Sequence, residues 1–203
     1  MTDDTCGIEG KSCCFIGHRE MEITDELTSR LTREIEKLIN GGVCRFIFGS
    51  RSSFDFLCHS VVSELKKRYP KIVRIAYTTF HECVVLEKDL ERHNEVMSFF
   101  LKKEVHDNGY EEEITPEKLR KSGRAAYVER NRMMIDDSDY CVFYYDETYR
   151  PKRKKLSRKY VCNILSSARS GTALAYSYAL RKKKTIINVY RKESIESEGE
   201  ENG

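Results

Sequence analysis

Short apolar runs alternate along this chain with longer stretches in which apolar residues recur at helical spacing. The runs predict five strands, at residues 12–16, 44–48, 72–77, 140–145 and 185–189, and the stretches between them predict helices. Such alternation is typical of βαβ units. The sequence therefore predicts an α/β fold with a mainly parallel central sheet between layers of helices.

The helix boundaries carry their own signals. Thr24 is predicted to cap the first helix and Gly41-Gly42 to end it, while the second helix should close at Tyr69-Pro70. Two further helices are predicted at residues 124–136 and from Ser170 to about Arg181. The apolar stripes expected to face the sheet are Leu27, Leu31, Ile35 and Leu38 in the first helix, and Leu57, Val61 and Leu65 in the second.

One domain is predicted over residues 12–192, preceded by a flexible N-terminus at 1–11 and followed by a disordered acidic tail at 193–203. Residues 81–121 depart from the alternation, with a predicted helix at 87–103 and an extended piece at 110–114, and are treated as an elaboration of the same domain. A basic loop occupies residues 147–160.

Composition narrows the function classes. No apolar run approaches the roughly 20 residues of a membrane helix, and the first residues are acidic where a secretory signal is basic, so a cytoplasmic protein without a membrane partner is expected. Several of the eight cysteines lie inside strand-like runs and are interpreted as core residues of a reducing compartment. A net charge of +3 does not favour a general nucleic-acid-binding protein.

No metal site is predicted. The four residues that come nearest to one have no recognised ligand spacing and are interpreted as structural: His81, Cys83, His93 and His106.

Small and polar residues follow the predicted strands. They are Gly17-His18-Arg19, then Gly49-Ser50-Arg51-Ser52 with Asp55, then Thr78-Thr79, and finally Asp146. In an open parallel sheet these positions share one edge, where ligands bind at the reversal of strand order. Helix N-termini there suit phosphate, and Arg19 and Arg51 would add donors. Taken singly, each residue also has a structural interpretation, as a turn glycine, a surface arginine or a helix-capping aspartate.

These motifs resemble a known family. Cys14-Phe15-Ile16-Gly17-His18-Arg19, the run Phe46 to Ser50 with Asp55, the stretch Glu129 to Asp139 and Gly171-Thr172-Ala173 are similar, in order and spacing, to the YpsA-like family of the SLOG superfamily, which groups relatives of Lonely Guy and DprA proteins.

The resemblance implies a Rossmann-like three-layer sandwich that binds or senses nucleotides or nucleotide-derived signals. Apart from a nucleotide-derived ligand, the resemblance implies no specific cofactor. Arg130 matches the arginine of a His-Glu-Arg-Lys stretch in Lonely Guy enzymes. Together with the strand-end residues, the expected ligand-binding set is Gly17, His18, Arg19, Gly49, Ser50, Arg51, Asp55, Arg130, Asn131, Ser170, Gly171 and Thr172.

One departure bears on catalysis. The related N-glycosidic enzymes carry a glutamate where this chain has Ala175, and alanine can neither attack an anomeric carbon nor stabilise an oxocarbenium-like transition state. The turn ahead of Gly171, Ala168-Arg169-Ser170, also lacks the glycines of the Lonely Guy enzymes. Gly171, Ala175 and Ala179 lie four apart and predict close packing of one helix face on the sheet.

Three functions remain open from the sequence. The first is non-catalytic binding of a nucleotide or an ADP-ribose-like molecule, with a homodimer as the default state and a protein partner as an option. The second is a nucleotide N-glycoside hydrolase or transferase that uses Glu129, Asp136 or Asp146. The third is single-stranded nucleic-acid binding through the basic loop.

Overall fold

The computed structural model describes residues 10–49, 52–79, 109–114, 124–150 and 170–191. The predicted helix at 87–103, the acidic tail and most of the basic loop lie outside these residues. The described elements are β1 (Lys11–Gly17), α1 (Asp25–Asn40), β2 (Val43–Phe48), α2 (Ser53–Lys66), β3 (Val73–Tyr77), β4 (Glu112–Ile114), α3 (Arg124–Asp136), β5 (Tyr140–Tyr144), α4 (Gly171–Arg181) and β6 (Thr185–Asn188).

The six described strands form one parallel sheet in the order β4-β3-β2-β1-β5-β6. From β1 the chain moves outward through β2 and β3 to β4, and then returns to place β5 on the other side of β1. Without β4, the strands follow the order 3-2-1-4-5 that begins a Rossmann-like sheet. The strand order reverses between β1 and β5, where Gly17 pairs with Tyr144.

Two apolar clusters cover the two faces of the sheet. Alternate residues of β1 point to opposite faces, so Phe15 packs in the cluster with α1 and α2, and Ile16 packs in the cluster with α3 and α4. This arrangement confirms the predicted α/β, Rossmann-like three-layer sandwich. Among the described residues, no helix combines the length and the apolar character needed to span a membrane.

The helices on the first face begin and end largely as their sequences indicate. The Thr24 hydroxyl accepts a hydrogen bond from the Leu27 amide at 3.2 Å, and all four predicted residues of the α1 stripe are buried. Helix α2 ends at Lys66, earlier than the predicted end at Tyr69-Pro70. The amides of Arg68 and Tyr69 both bond to the Leu65 carbonyl, so a tight turn replaces the last helical residues.

Strand β4 is the main addition to the predicted sheet. The sequence predicts five strands and an extended piece at 110–114, and the structure pairs part of that piece with the edge of β3. The strand is short and charged, so no apolar run marks it. Ion pairs hold it instead: Arg45 contacts Glu112 at 3.3 Å, and Arg74 contacts Glu111, the residue just before the strand, at 2.6 Å.

The described cysteines support the interpretation of these residues as core residues. All five carry free thiols, and Cys13, Cys14, Cys58 and Cys141 are fully buried. Burial raises the pKa of the Cys13 and Cys58 thiols well above the ordinary value, which keeps them protonated.

Candidate functional site

The carboxyl end of β1 lies at the reversal point of the sheet, between two helix N-termini. The Thr172 hydroxyl, in the first turn of α4, donates to the Gly17 carbonyl at 2.8 Å. On the other face, a Cβ at Gly17 would lie 2.4 Å from the side chain of Phe54 in α2. Gly17 is therefore required by the packing of Phe54, and the end of β1 is tied to α4.

His18 follows Gly17 and is buried, with 2% of its surface exposed. Its Nε2 accepts a hydrogen bond from the Asp146 amide at 3.0 Å, which joins the ends of β1 and β5. Burial lowers the pKa of His18, although the nearby Asp146 carboxylate opposes the shift. The imidazole is therefore neutral with its proton on Nδ1, and no described residue accepts that proton.

The loop after β2 is organised by Asp55. Its carboxylate accepts from the Ser52 hydroxyl at 2.6 Å and from the Gly49 amide at 3.4 Å, and the Ser52 hydroxyl in turn accepts from the Asp55 amide. Burial raises the pKa of Asp55, while these hydrogen bonds and the charge of Arg130 work against the shift. Asp55 therefore holds the strand-to-helix turn in place.

Arg130 brings a buried positive charge to the same edge. Its side chain is 5% exposed, and its guanidinium carbon lies 5.1 Å from the ring centre of Tyr127. A Cβ at Gly49 would lie 3.1 Å from the Nε and Nη2 atoms of Arg130. Gly49 therefore leaves the room that the guanidinium occupies beside β2, and Arg130 also donates to the Asn131 side chain at 3.4 Å.

The first turn of α4 offers backbone donors. The Ser170 hydroxyl accepts from the Ala173 amide at 3.1 Å, which satisfies the third amide of the helix. Among the described residues, no acceptor binds the amides of Gly171 and Thr172. Gly171 is exposed, and a Cβ there would have no described atom within 4 Å. The protein's own described contacts therefore do not account for this glycine.

The structure brings most of the predicted residues to one edge. Those nearest the reversal point are Gly17, His18, Ser170, Gly171 and Thr172, and those one strand away are Gly49, Asp55, Arg130 and Asn131. Arg19 also follows β1, with an exposed side chain. Ser50 and Arg51 lie outside the described residues. Thr78 and Thr79 are buried at the end of β3.

The candidate catalytic carboxylates do not lie together. Asp136 is at the opposite edge, where it accepts from the Tyr178 hydroxyl at 2.8 Å and pairs with Lys182 at 3.0 Å. Glu129 is half-buried on α3. Asp146 lies at the reversal point; slight burial would raise its pKa, but hydrogen bonds from Thr148 outweigh that and lower it. Of the three carboxylates, only Asp146 is shown beside His18, and its lowered pKa keeps it ionised at neutral pH.

The predicted small-residue face of α4 is partly wrong. Ala175 and Ala179 are buried, at 3% and 0% exposure, within the cluster that also contains Met134. Gly171 is not part of this packing, because it is the exposed first residue of the helix and a Cβ there would contact no described atom. The packing interpretation therefore holds for the alanines, and Gly171 needs another explanation.

Sequence reasoning missed the aromatic residue that covers His18. Tyr149 stacks on the imidazole with ring centres 3.9 Å apart and planes 20° apart. In the sequence, Tyr149 is one aromatic residue beside a run of basic ones, and only the turn at Asp146 brings it back to the sheet edge. Among the described residues, no group of three or more metal-ligating side chains occurs.

Comparisons with known proteins identify a family and a distant structural likeness. A solved structure of DNA processing protein A from Helicobacter pylori, studied for its single-stranded DNA binding mode, is similar at 13% identity with a TM-score of 0.45. The likeness covers 87% of this chain and 64% of that one, so it spans less than two thirds of the neighbour. No curated protein matches the chain. A model described as the YspA SLOG family matches residues 14–170, from the middle of β1 to the cap of α4, and the chain belongs to that family.

Proposed function

We propose that this protein binds a nucleotide or a nucleotide-derived signal, such as an ADP-ribose-like molecule, and does not transform it. The binding place is the crevice outside the carboxyl ends of β1 and β5. Ligands of open parallel sheets bind where the strand order reverses, and this sheet reverses its order there. Membership in a SLOG family supports a nucleotide-related ligand.

The observation that carries the proposal is the first turn of α4. The amides of Gly171 and Thr172 have no acceptor among the described residues, and a helix N-terminus carries a partial positive charge. A Cβ at Gly171 would have no described atom within 4 Å, so the described residues leave room beside these amides. Free donors, positive potential and space together fit the phosphate group of a nucleotide.

Two side chains add to this preference for an anion. Arg130 places a buried guanidinium one strand away, where Asp55 offsets part of its charge. His18 is neutral and offers its Nδ1 proton as a donor. Asp146, whose pKa is lowered, lies beside His18 and its carboxylate repels anions.

The arrangement of carboxylates supports binding without catalysis. The position matching the catalytic glutamate of related N-glycosidic enzymes is Ala175, which is buried in the core. Asp136 is engaged at the opposite edge of the sheet. Asp146 uses one carboxylate oxygen to accept from both the amide and the hydroxyl of Thr148, so this oxygen is not free to act as a base.

The test is titration calorimetry of the full chain with NAD, ADP-ribose, cyclic AMP, AMP and a single-stranded oligonucleotide. We expect binding of at least one small molecule, with a gain of about 2.7 kcal/mol in the free energy of unfolding at 100 times its Kd. No binding across the small molecules contradicts the proposal. Salt-dependent binding of the oligonucleotide alone would favour the nucleic-acid alternative.

Catalysis is tested on the same molecules. After long incubation at high protein concentration, chromatography should recover each nucleotide unchanged. Release of a free base would refute the non-catalytic part of the proposal while leaving the binding site in place. The homodimer and the protein partner stay predictions, which light scattering and affinity capture can check.

A further inference from the structure

His18 is buried although it follows the last residue of β1 at the edge of the sheet. Only 2% of its surface is exposed, and the Tyr149 ring lies nearly parallel to the imidazole with 3.9 Å between ring centres. Tyr144 contacts the same imidazole through an edge, at 6.1 Å and 90°. One flat face of His18 is therefore covered by a side chain that comes from a turn.

Beyond Asp146, which bonds to His18 and Tyr190, that turn is held by local hydrogen bonds. The Asp146 carboxylate accepts from the amide and the hydroxyl of Thr148, both at 2.7 Å, and the Asp146 carbonyl accepts from the Tyr149 amide at 3.2 Å. Arg150 donates to the carbonyls of Glu147 and Tyr149. In the described part of the chain, residues 147–150 form no hydrogen bond outside 146–150, so displacing the Tyr149 ring breaks no hydrogen bond to the other described residues.

With the Tyr149 ring stacked on His18, one nitrogen of the imidazole also has no hydrogen-bond partner among the described residues. The Asp146 amide donates to Nε2 of His18, which places the proton on Nδ1. That Nδ1 is buried and has no acceptor among the described residues. A buried donor without an acceptor is unfavourable, so the closed arrangement is one that a ligand oxygen would improve.

We propose that the nucleobase of the ligand stacks on the imidazole of His18 in the place now taken by the Tyr149 ring, so that Tyr149 is a replaceable cover. This inference rests on the proposed function, since it concerns how the same site takes its base. A nucleobase has the flat aromatic face that stacks on such a platform. The stacked ring of Tyr149 shows that the His18 imidazole accepts a parallel aromatic ring.

The location of the platform suits a nucleotide as a whole. His18 directly follows Gly17, and the Gly17 carbonyl accepts from Thr172 in the first turn of α4. The imidazole that would stack on the base and the helix turn that would bind the phosphate therefore both adjoin Gly17. A single nucleotide would place its base over His18 and its phosphate at α4, with an oxygen available to Nδ1.

The experiment compares AMP with ribose 5-phosphate, which lacks the base, on the wild type, Tyr149→Ala and Tyr149→Phe. Removing the cover should tighten AMP binding about 2- to 10-fold, which corresponds to the strength of one aromatic pair. Ribose 5-phosphate should bind equally to all three proteins. Tyr149→Phe keeps the ring and should match the wild type, and circular dichroism checks that each variant is folded.

A second measurement follows the cover directly. The chain contains no tryptophan, so Tyr149→Trp introduces a single tryptophan beside His18, which can be excited without exciting the tyrosines. AMP should shift its emission to longer wavelength as the ring moves into water, and ribose 5-phosphate should leave the emission unchanged. Identical spectra with saturating AMP and without it would show that the ring is not displaced.

The outcomes separate the two proposals. If the wild type binds neither compound nor any other nucleotide, the proposed function fails and this inference fails with it. If the wild type binds AMP but Tyr149→Ala binds it equally or more weakly, the site stands and only the replaceable cover is refuted. Equal gains for AMP and ribose 5-phosphate would also refute base stacking on His18.

Discussion

Replacing Gly171 with glutamate should stabilise the fold and weaken ligand binding at the same time. Gly171 is the first residue of α4, and its Cβ position has no described atom within 4 Å, so a side chain fits there. A carboxylate in the first turn interacts favourably with the helix dipole by about 0.3–1 kcal/mol. For a chain of this size that gain raises Tm by about 1–4 °C.

The same carboxylate would face the phosphate of the proposed ligand. Two unit charges 4 Å apart interact by about 4 kcal/mol at an effective dielectric constant of about 20. Half of that value, about 2 kcal/mol, allows for screening at an exposed position and corresponds to about 30-fold weaker binding. Stability and affinity therefore change in opposite directions, which a general disturbance of the fold would not produce.

The assay is titration with AMP, or with the tightest nucleotide of the panel, on Gly171→Glu and Gly171→Gln. Glutamine has nearly the same size and no charge, so the ratio of the two Kd values isolates the charge effect. We expect a ratio of about 30 that falls when the salt concentration is raised. Equal affinities of the two variants would refute a phosphate at the first turn of α4.

Three further predictions concern the frame of the site. Glu111→Gln should lower the free energy of unfolding by about 1–2 kcal/mol at pH 7, whereas Glu113→Gln should leave it unchanged and is the control. The reason is that hydrogen bonds from Arg74 outweigh burial and lower the pKa of the one-third-exposed Glu111 from 4.5 to about 2. In urea titrations this difference should vanish as the pH falls from about 4.5 to about 2, since a lowered acid pKa stabilises only above that range. Gly17→Ala should cost about 1–3 kcal/mol, because its Cβ would lie 2.4 Å from Phe54; an unchanged Tm would contradict that packing. Ser170→Ala should cost about 1 kcal/mol in thermal unfolding through loss of the α4 cap, whereas Ser170→Asp should retain stability.

The fold follows from local patterns wherever burial is the driving force. The α1 stripe of Leu27, Leu31, Ile35 and Leu38 shows on the sequence because a helix on one face of a sheet repeats its apolar residues every three or four positions. Strand β4 gave no comparable signal. Its residues pair only at an edge and are fixed by charges on β2 and β3, and such contacts between distant residues leave no periodic trace.

At the site, the sequence predicted which residues lie close together better than it predicted the contacts between them. Parallel strands place their carboxyl ends on one edge, so His18 and Asp146 were expected to lie near each other. The Asp146 amide bond to His18 and the stacking of Tyr149 depend on the shape of one turn. The steric need for Gly17 depends on Phe54, which is thirty-seven positions away in the chain. Neither relation is visible from spacing alone.

The structure separates the edge residues by whether the protein itself uses their polar groups. Asp55 holds the turn after β2, the Thr172 hydroxyl bonds to β1, and the Ser170 hydroxyl caps α4, so each side chain has a structural role. In the described part of the chain, the amide of Gly171 and the Nδ1 of His18 have no such role. A ligand that only filled space would not need these two donors, whereas an anion with an adjoining flat ring would use both the donors and the imidazole face. For that reason substitutions at Gly171 should discriminate ligands by charge, and substitutions at Tyr149 should discriminate them by the presence of a base.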